Sequence, residues 1–258
     1  MIMLASLIPY FAFIYIIYYL FRKSRREGKI KISGSNINCC VGKQYPGGPL
    51  RPFSPVFYED AKLKTAPWAA PRVSDDILET LPKNPTVEEN GQTTGVHGRG
   101  CLGKYGPNYA ADPVISRINP DTGEIEFALI QRDETPATWA IPGGMVDPGE
   151  KSSITAKREF NEEAGGNLDN TSIIPVKLYS GYVDDWRNTD HAWMHTTVFH
   201  WHDANCSSLG KMKLKSDGVE TKKAEWIPYN DIKSGKYPMF ADHARYIKMA
   251  VNNIQLFL

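Results

Sequence analysis

Alternating apolar and polar residues predict β-strands in the second half of the chain. Residues 124–132 (EIEFALIQR) alternate in this way, which is typical of a half-buried strand. Three further segments are rich in β-branched and aromatic residues, which favour strands. They are residues 176–185, 192–202 and 224–231. We therefore predict four strands in this part of the chain.

A helix is predicted between these strands, over residues 152–164 (SSITAKREFNEEA). Alanine and glutamate favour helices, and Ser152 or Ser153 can cap the first turn. Gly165 and Gly166 end the helix, because glycine adopts the left-handed conformation common just after a helix.

The C-terminal segment, residues 241–258, also has helical spacing. Tyr246, Ala250 and Ile254 stand four residues apart and share one face. Together with the strands, the two helices indicate a mixed α/β fold with a predominantly β core.

The N-terminus is predicted to be a membrane anchor. The first 21 residues carry no charge, and the basic run RKSRR follows at once. About 20 apolar residues span a bilayer as a helix. We expect an uncleaved anchor over residues 1–22, with the rest of the chain facing the cytosol because the basic flank stays on that side. A cleaved signal peptide, giving a secreted protein, is the alternative.

Composition then changes twice along the chain. Residues 23–43 are basic and then rich in Gly, Ser and Asn, as in a tether. Proline and glycine are dense over residues 44–105, which predicts a small loop-rich subdomain with short strands. Residues 106–258 form the main domain.

The overall composition restricts the classes of function. Apolar residues make up 41% of the chain and charged residues 23%, as in an ordinary globular protein. The formal net charge of +1 gives no global attraction for a nucleic-acid partner. Any charge-based function must therefore be local.

A local concentration of charge occurs in the helix predicted over residues 152–164. Glu159, Glu162 and Glu163 have the i, i+3, i+4 spacing that brings side chains onto one face, where like charges repel. A divalent cation such as Mg²⁺ removes that repulsion, and Mg²⁺ is typically held by one or two carboxylates, waters and phosphate oxygens. The alternative is an ordinary solvated helix face.

The residues around the glutamates resemble the Nudix box, G-x5-E-x7-R-E-U-x-E-E-x-G-U, where U is a bulky apolar residue. Gly144 is followed after five residues by Glu150, and after seven more by residues 158–165 (REFNEEAG). Every defined position matches except the last, where Gly166 replaces the apolar residue. So many matches make the resemblance specific.

The resemblance implies a Nudix α/β/α sandwich, here preceded by the small loop-rich subdomain and the transmembrane helix. It implies that Glu159, Glu162 and Glu163 bind Mg²⁺ or Mn²⁺ and that Glu162 or Glu163 acts in catalysis. Arg158 would pair with Glu150 to brace the loop, a structural task shared with the glycines of the box, Gly144 and Gly165.

Three other stretches are similar to the ADP-ribose pyrophosphatase branch of the family, and to the Nudix-homology domain of an ADP-ribose-gated cation channel. They are residues 98–117, 140–151 and 181–196. Known members of the branch are largely mitochondrial, which gives a second alternative for the location of the chain.

The same resemblance implies several ligand-binding residues. Asp185 and Arg187 fall where relatives contact the ligand, and His243 matches a ligand-facing histidine. An Arg can fork onto phosphate oxygens, and an Asp can accept hydrogen bonds from ribose hydroxyls. Glu220 is a candidate general base, because some relatives place an acid in that loop.

The predicted activity is Mg²⁺-dependent hydrolysis of the diphosphate of ADP-ribose to AMP and ribose 5-phosphate. One alternative is a module that binds ADP-ribose without cleaving it. Another is a Nudix hydrolase of a different nucleoside diphosphate derivative. The intact acidic positions of the box favour catalysis.

His200 and His202 alternate on one predicted strand and are interpreted as structural, because no third metal ligand accompanies them.

Overall fold

The structure is a computed structural model. It describes residues 69–91, 94, 96–100, 102–133, 137–185, 187–219 and 221–255. Three predicted parts lie outside these residues and stay predictions: the anchor, the tether and the first part of the loop-rich subdomain. Retention of the protein in the membrane pellet after alkaline carbonate extraction would test the anchor. No helix within the described residues has the length and apolar character needed to cross a bilayer.

The strands are β1 (Gly106–Ile118), β2 (Ile125–Arg132), β3 (Trp139–Ala140), β4 (Gly144–Met145), β5 (Val176–Tyr182), β6 (Ala192–Asp203) and β7 (Thr221–Pro228). The helices are α1 (Asp75–Leu78), α2 (Pro85–Asn90), α3 (Ser152–Glu163), α4 (Tyr229–Lys233) and α5 (His243–Gln255), with a 3₁₀ turn at Leu209–Lys211. The four predicted strands and both predicted helices are therefore confirmed, with ends shifted by a few residues.

The seven strands of the described residues form one mixed sheet. Its order is β3-β2-β1-β6-β5, with β4 also paired to β1 and β7 to β2. The long central pair of β1 and β6 is parallel, and every other pair is antiparallel. Strand β5 has one hydrogen-bonded neighbour, β6, and forms an edge of the sheet.

Strand β1 is the longest element that the sequence pattern did not predict. It contains Pro107 and Pro113, and proline is rare inside central strands because it cannot donate to the ladder. The sheet is split at this point, which accommodates Pro113. Strand β2 pairs with β1 only from Ser116 onwards, and β4 pairs with it only at Ala110 and Ala111.

A helix covers each face of the sheet, so the predicted α/β/α sandwich is confirmed. The buried face of α5 packs with Val114 and Phe127 on one side. Phe160 of α3 packs with Ile115 on the other. Because alternate residues of a strand face opposite ways, Asp112 shares with Val114 the face that α5 covers.

The described part of the loop-rich segment lies against the loop before β6. Asn84 caps α2 by accepting from Thr86 N, and its amide donates to Thr189 O at 3.0 Å. The backbone N–H of Asn84 donates to Asp190 O at 2.8 Å. The short strands predicted here do not occur in the described residues between 69 and 100, which hold two short helices instead.

Candidate functional site

The N-cap of the carboxylate-bearing helix α3 lies before both of its predicted caps. Lys151 occupies the N-cap position without a capping side chain, and Ser152 and Ser153 are already helical, so the predicted serine cap was wrong. Thr155 donates to Glu150 Oε2 at 2.8 Å, which ties the first turn to the preceding loop.

The end of α3 matches its prediction. Ala164 follows the last helical residue, and Gly165 has φ +64°, the left-handed conformation that favours glycine. A Cβ on Gly165 would also lie 2.9 Å from the carbonyl oxygen of Lys215. The glycine that the box requires is therefore needed both for its conformation and for the close approach of another loop.

The departure from the box at Gly166 has a packing explanation. A Cβ built on Gly166 would overlap the ring of Phe160, which is fully buried beneath it. Phe160 thus fills the space that an apolar residue at position 166 would use.

We expect Gly166→Ala to destabilise the protein by about 1–3 kcal/mol, the usual cost of overpacking a core. Urea unfolding followed by circular dichroism measures the change. Gly166→Ala combined with Phe160→Leu should recover part of the loss, because the smaller side chain leaves room for the methyl group. Unchanged stability of Gly166→Ala would contradict the packing explanation.

The three glutamates of α3 differ in their surroundings. Glu159 and Glu163 are buried, with 5% and 6% of their surface exposed, while Glu162 is partly exposed. Phe160 and Ala164 are buried in the apolar core beneath the sheet. The helix therefore presents two buried carboxylates and a third nearer to solvent.

Two glycines allow the carboxylates to approach the backbone. Gly143 donates its N–H to Glu163 Oε2 at 2.9 Å. Gly144 packs so closely on the carboxylate of Glu159 that a Cβ there would overlap it, and a Cβ on Gly143 would overlap Asp112 Oδ1. Three buried carboxylates, on Asp112, Glu159 and Glu163, therefore surround the Gly143–Gly144 turn.

Arg158 joins the box loop to the helix, as predicted. Its guanidinium donates to Glu150 from Nε at 3.2 Å and from Nη2 at 3.0 Å. It also contacts Glu159 at 2.6 Å and Glu162 at 3.5 Å, which the sequence did not predict. Burial raises the pKa of Glu150, but hydrogen bonds from Arg158 and Thr155 outweigh it and hold the pKa below its usual value.

The oxygen ligands at the turn suit a hard divalent cation. Among the described residues, no three Asp, Glu, His or Cys side chains form a ready-made metal cluster. Mg²⁺ does not need one, since waters and substrate phosphates complete its coordination beside one or two carboxylates. Glu159 and Glu163, buried and four residues apart on α3, can provide those carboxylates.

Asp185 and Arg187 form a bidentate pair in the loop after β5. Arg187 donates to Asp185 Oδ1 from Nε at 2.8 Å and to Oδ2 from Nη2 at 2.7 Å. Burial raises the pKa of Asp185, but the charge and hydrogen bonds of Arg187 outweigh this effect. The pKa therefore lies below its usual value and the carboxylate stays ionised. The two predicted ligand residues are thus brought together, each orienting the other.

His243 lies at the start of α5 and is neutral. Its Nδ1 accepts from the backbone N–H of Ile141 at 2.9 Å, which orients the ring beside the box loop. Burial lowers its pKa to about 3, and the nearby charges of Arg132 and Arg187 act in the same direction. The charges of Asp185 and Arg187 both act on the pKa of His243, so the three predicted ligand residues lie near one another.

Two residues of this region were not predicted, Arg132 and Asp112. Arg132 stacks on Phe240 at 4.3 Å and perturbs the pKa of both His243 and Asp185. Asp112 is 7% exposed, and burial raises its pKa to about 6 against a lowering by the Thr196 hydrogen bond. The detectable signal in the sequence was an acid within the apolar run YAADPVI, since a buried acid needs a reason.

The pKa of Asp112 predicts a pH-dependent stability. The folded value of about 6 lies above the ordinary 3.8, so the folded protein binds more protons between these values and stability falls as pH rises through them. We expect Asp112→Asn to gain roughly 2–3 kcal/mol relative to the wild type between pH 3.5 and 7. Urea unfolding at both pH values, without divalent cations, measures it. A constant difference would contradict the prediction.

The remaining predicted residues have simpler outcomes. Glu220 lies outside the described residues and stays a prediction. His200 and His202 both contact Ser116 Oγ at 2.8 Å, within a sheet face far along β1 from the glycine turn. Burial lowers the pKa of both histidines, and their interpretation as structural fits these contacts.

Comparisons with known proteins found a matching family model and similar proteins. The family model described as NUDIX domain matches residues 110–249. "Putative nudix hydrolase 6" of Caenorhabditis elegans is 38% identical over 228 residues, covering 76% of this chain and 83% of that protein. "ADP-ribose pyrophosphatase, mitochondrial" of Rattus norvegicus is 36% identical, covering 76% of this chain and 68% of that protein.

A solved structure was also found, the NUDIX domain of Shewanella oneidensis NrtR complexed with ADP ribose. It is 18% identical with a TM-score of 0.47, covering 58% of this chain and 89% of that chain.

Proposed function

The chain belongs to the Nudix family of hydrolases, and we propose that it hydrolyses the diphosphate of ADP-ribose to AMP and ribose 5-phosphate. The observation that carries the proposal is the convergence of Glu159 and Glu163 on the Gly143–Gly144 turn, with every acidic position of the box intact. The rat relative named ADP-ribose pyrophosphatase supports the substrate.

Glu159 and Glu163 would hold a divalent cation, with Glu162 at the solvent side of the same helix face. Mg²⁺ is our candidate, with Mn²⁺ as the alternative. Such a cation supplies neutralisation of charge on the diphosphate oxygens and a lowered pKa for a water. In hydrolysis the water oxygen bonds to one phosphorus, the bridging P–O bond breaks, and each product keeps one phosphate.

The protein's own groups prepare this centre. The Gly143 N–H fixes one oxygen of Glu163, so the carboxylate has a defined position before substrate binds. Glu162 or Glu163 is our candidate to accept the proton of the attacking water, with Glu220 as the third candidate. Arg158 offsets the mutual repulsion of the carboxylates through its contacts with Glu159 and Glu162.

The ligand side of the site would be formed by Asp185, Arg187 and His243. The ion pair holds the Arg187 guanidinium in a defined orientation, and a guanidinium can fork onto phosphate oxygens. His243 is uncharged and buried, so it can face a sugar or base without competing for the diphosphate.

Arg187→Lys tests the ligand side. Lysine keeps the positive charge but loses the planar fork, so we expect KM for ADP-ribose to rise about tenfold with a smaller change in kcat, as for loss of roughly 1.4 kcal/mol of binding. Steady-state kinetics measures both constants. Arg245→Lys, on the exposed side of α5, is the control and should change neither. An unchanged KM in Arg187→Lys would remove Arg187 from the ligand side.

The substrate is tested by initial rates of the full-length protein with ADP-ribose, UDP-glucose, NADH and diadenosine tetraphosphate, each with Mg²⁺ and again with EDTA. The proposal requires ADP-ribose to have the highest kcat/KM, with AMP and ribose 5-phosphate as products. Faster cleavage of another substrate would identify a different Nudix hydrolase.

A further inference from the structure

Asp112 is a buried carboxylate that lies outside the Nudix box but faces its glycine turn. It lies on β1 where the sheet is split, one residue beyond Ala111, the last residue of β1 that pairs with β4. Burying a charged group is costly unless its surroundings compensate. An acid at this position therefore calls for a function that an apolar residue could not provide.

The orientation of the Asp112 carboxylate is set by the neighbouring strand. Thr196 on β6 donates its hydroxyl to Asp112 Oδ2 at 2.6 Å, and both side chains are buried. Strands β1 and β6 are paired from Gly106 to Arg117, so the bond joins two rigid parts of the sheet. The second oxygen, Oδ1, is thereby directed at the Cα of Gly143.

The turn that Asp112 contacts also binds Glu163 of α3. Gly143 packs on Asp112 Oδ1 and also donates its N–H to Glu163. Gly144 packs on the carboxylate of Glu159. A shift of the turn would therefore move both carboxylates proposed to hold the cation. Tyr246 of α5 lies nearby, and its buried hydroxyl has no hydrogen-bond partner among the described residues. Burial raises the pKa of this hydroxyl, and the charge of Asp112 raises it further.

We propose that Asp112 is a positioning residue of the hydrolytic centre: oriented by Thr196, it holds the Gly143–Gly144 turn in place against Glu163 and Glu159. The inference rests on the proposed function, since it assigns those two glutamates to the cation. It goes beyond the box, because the residue that sets the turn lies on a strand that the box does not include.

The test measures metal binding without substrate, so that its outcome is separate from the identity of the substrate. Mn²⁺ binding to the full-length protein is titrated by electron paramagnetic resonance for the wild type, Thr196→Val and Thr196→Ser. Valine replaces the hydroxyl with a methyl group of similar size, which cannot donate to the carboxylate, while serine keeps the hydroxyl. We expect Thr196→Val to weaken Mn²⁺ binding about tenfold, within the range for residues that orient metal ligands, and Thr196→Ser to retain most of the affinity.

Kinetics with the substrate that the wild type cleaves adds a second readout. Thr196→Val should lower kcat about tenfold at saturating substrate with little change in KM, since the ligand side is untouched. Melting curves followed by circular dichroism establish that each variant is folded. Equal Mn²⁺ affinity and kcat in Thr196→Val and Thr196→Ser would overturn the proposal.

If Thr196→Val does not fold, the Mn²⁺ affinities of Asp112→Asn and Asp147→Asn test the proposal instead. Both remove one negative charge near the box, but Asp147 is partly exposed and lies 3.9 Å from Arg158 rather than against the turn. Positioning predicts a loss of Mn²⁺ affinity in Asp112→Asn at least several times larger than in Asp147→Asn. Equal losses would mean that Asp112 acts through its charge alone, and the proposal would be wrong.

Discussion

Glu163→Gln is expected to abolish most turnover of ADP-ribose while the protein remains folded. Glutamine has the same shape and can still accept the Gly143 N–H through its carbonyl oxygen, so the helix and the turn keep their contact. It carries no charge, however, and cannot bind a cation as a carboxylate or accept a proton. We expect kcat to fall by roughly 10²–10³, the range for removal of one key electrostatic group from an active site.

The measurement is kcat at saturating Mg²⁺ and ADP-ribose, with a melting curve for each variant. Glu89→Gln is the matched control, because Glu89 is an exposed glutamate on the short helix α2. It should keep the wild-type rate. A Glu163→Gln variant with more than a tenth of that rate would refute the assigned role of Glu163.

Arg158→Ala should have the second large effect, on stability and activity together. The guanidinium contacts Glu150, Glu159 and Glu162, and its removal leaves these carboxylates to repel one another. Removing one partner of a largely buried ion pair typically costs about 3 kcal/mol or more, and some solvent access at Arg158 moderates that figure. We expect Arg158→Ala to lower the free energy of unfolding by about 2–4 kcal/mol at neutral pH. We also expect a lower kcat, because Glu159 is no longer oriented.

The cost of Arg158→Ala should depend on pH with a defined sign. The pKa of Glu150 is lowered in the folded protein, so its contribution is present above the unfolded value of 4.5 and is lost as pH falls through the lower folded value. Urea unfolding at pH 7 and below pH 4 should therefore show a smaller difference between wild type and Arg158→Ala at the lower pH. Arg158→Lys should recover part of the loss, since lysine keeps the charge without the fork. Equal costs at both pH values would contradict the ion-pair account.

The sequence predicted those parts of the site that depend on local spacing. Glu159, Glu162 and Glu163 share a helix face because of the geometry of the helix itself. The pair of Glu150 and Arg158 was implied by the resemblance to the Nudix box, and the hydrogen bonds of Arg158 agree with it. Buried strands β2 and β6 were predicted because their side chains have a periodic or β-branched pattern. No contact distant in the chain was needed for any of these.

The parts that were missed depend on contacts between distant segments. Strand β1 contains two prolines, and only the split of the sheet explains why Pro113 is tolerated. Asp112 becomes a candidate only when β1 lies beside Gly143, 31 positions later in the chain. Likewise, the departure of Gly166 from the box is explained only by the ring of Phe160, which occupies the space that a larger side chain at position 166 would need.

One measurement tests the central claim most directly, namely that the chain is a hydrolase whose box acts on ADP-ribose. Full-length protein is incubated with ADP-ribose and Mg²⁺, and AMP, ribose 5-phosphate and bound ADP-ribose are quantified in the same sample by chromatography and equilibrium dialysis. The account predicts many equivalents of AMP released per protein, none after EDTA, and little from Glu163→Gln. Saturable binding of ADP-ribose by the wild type without release of AMP would contradict it, and would identify a sensor in which intact acidic residues do not cleave.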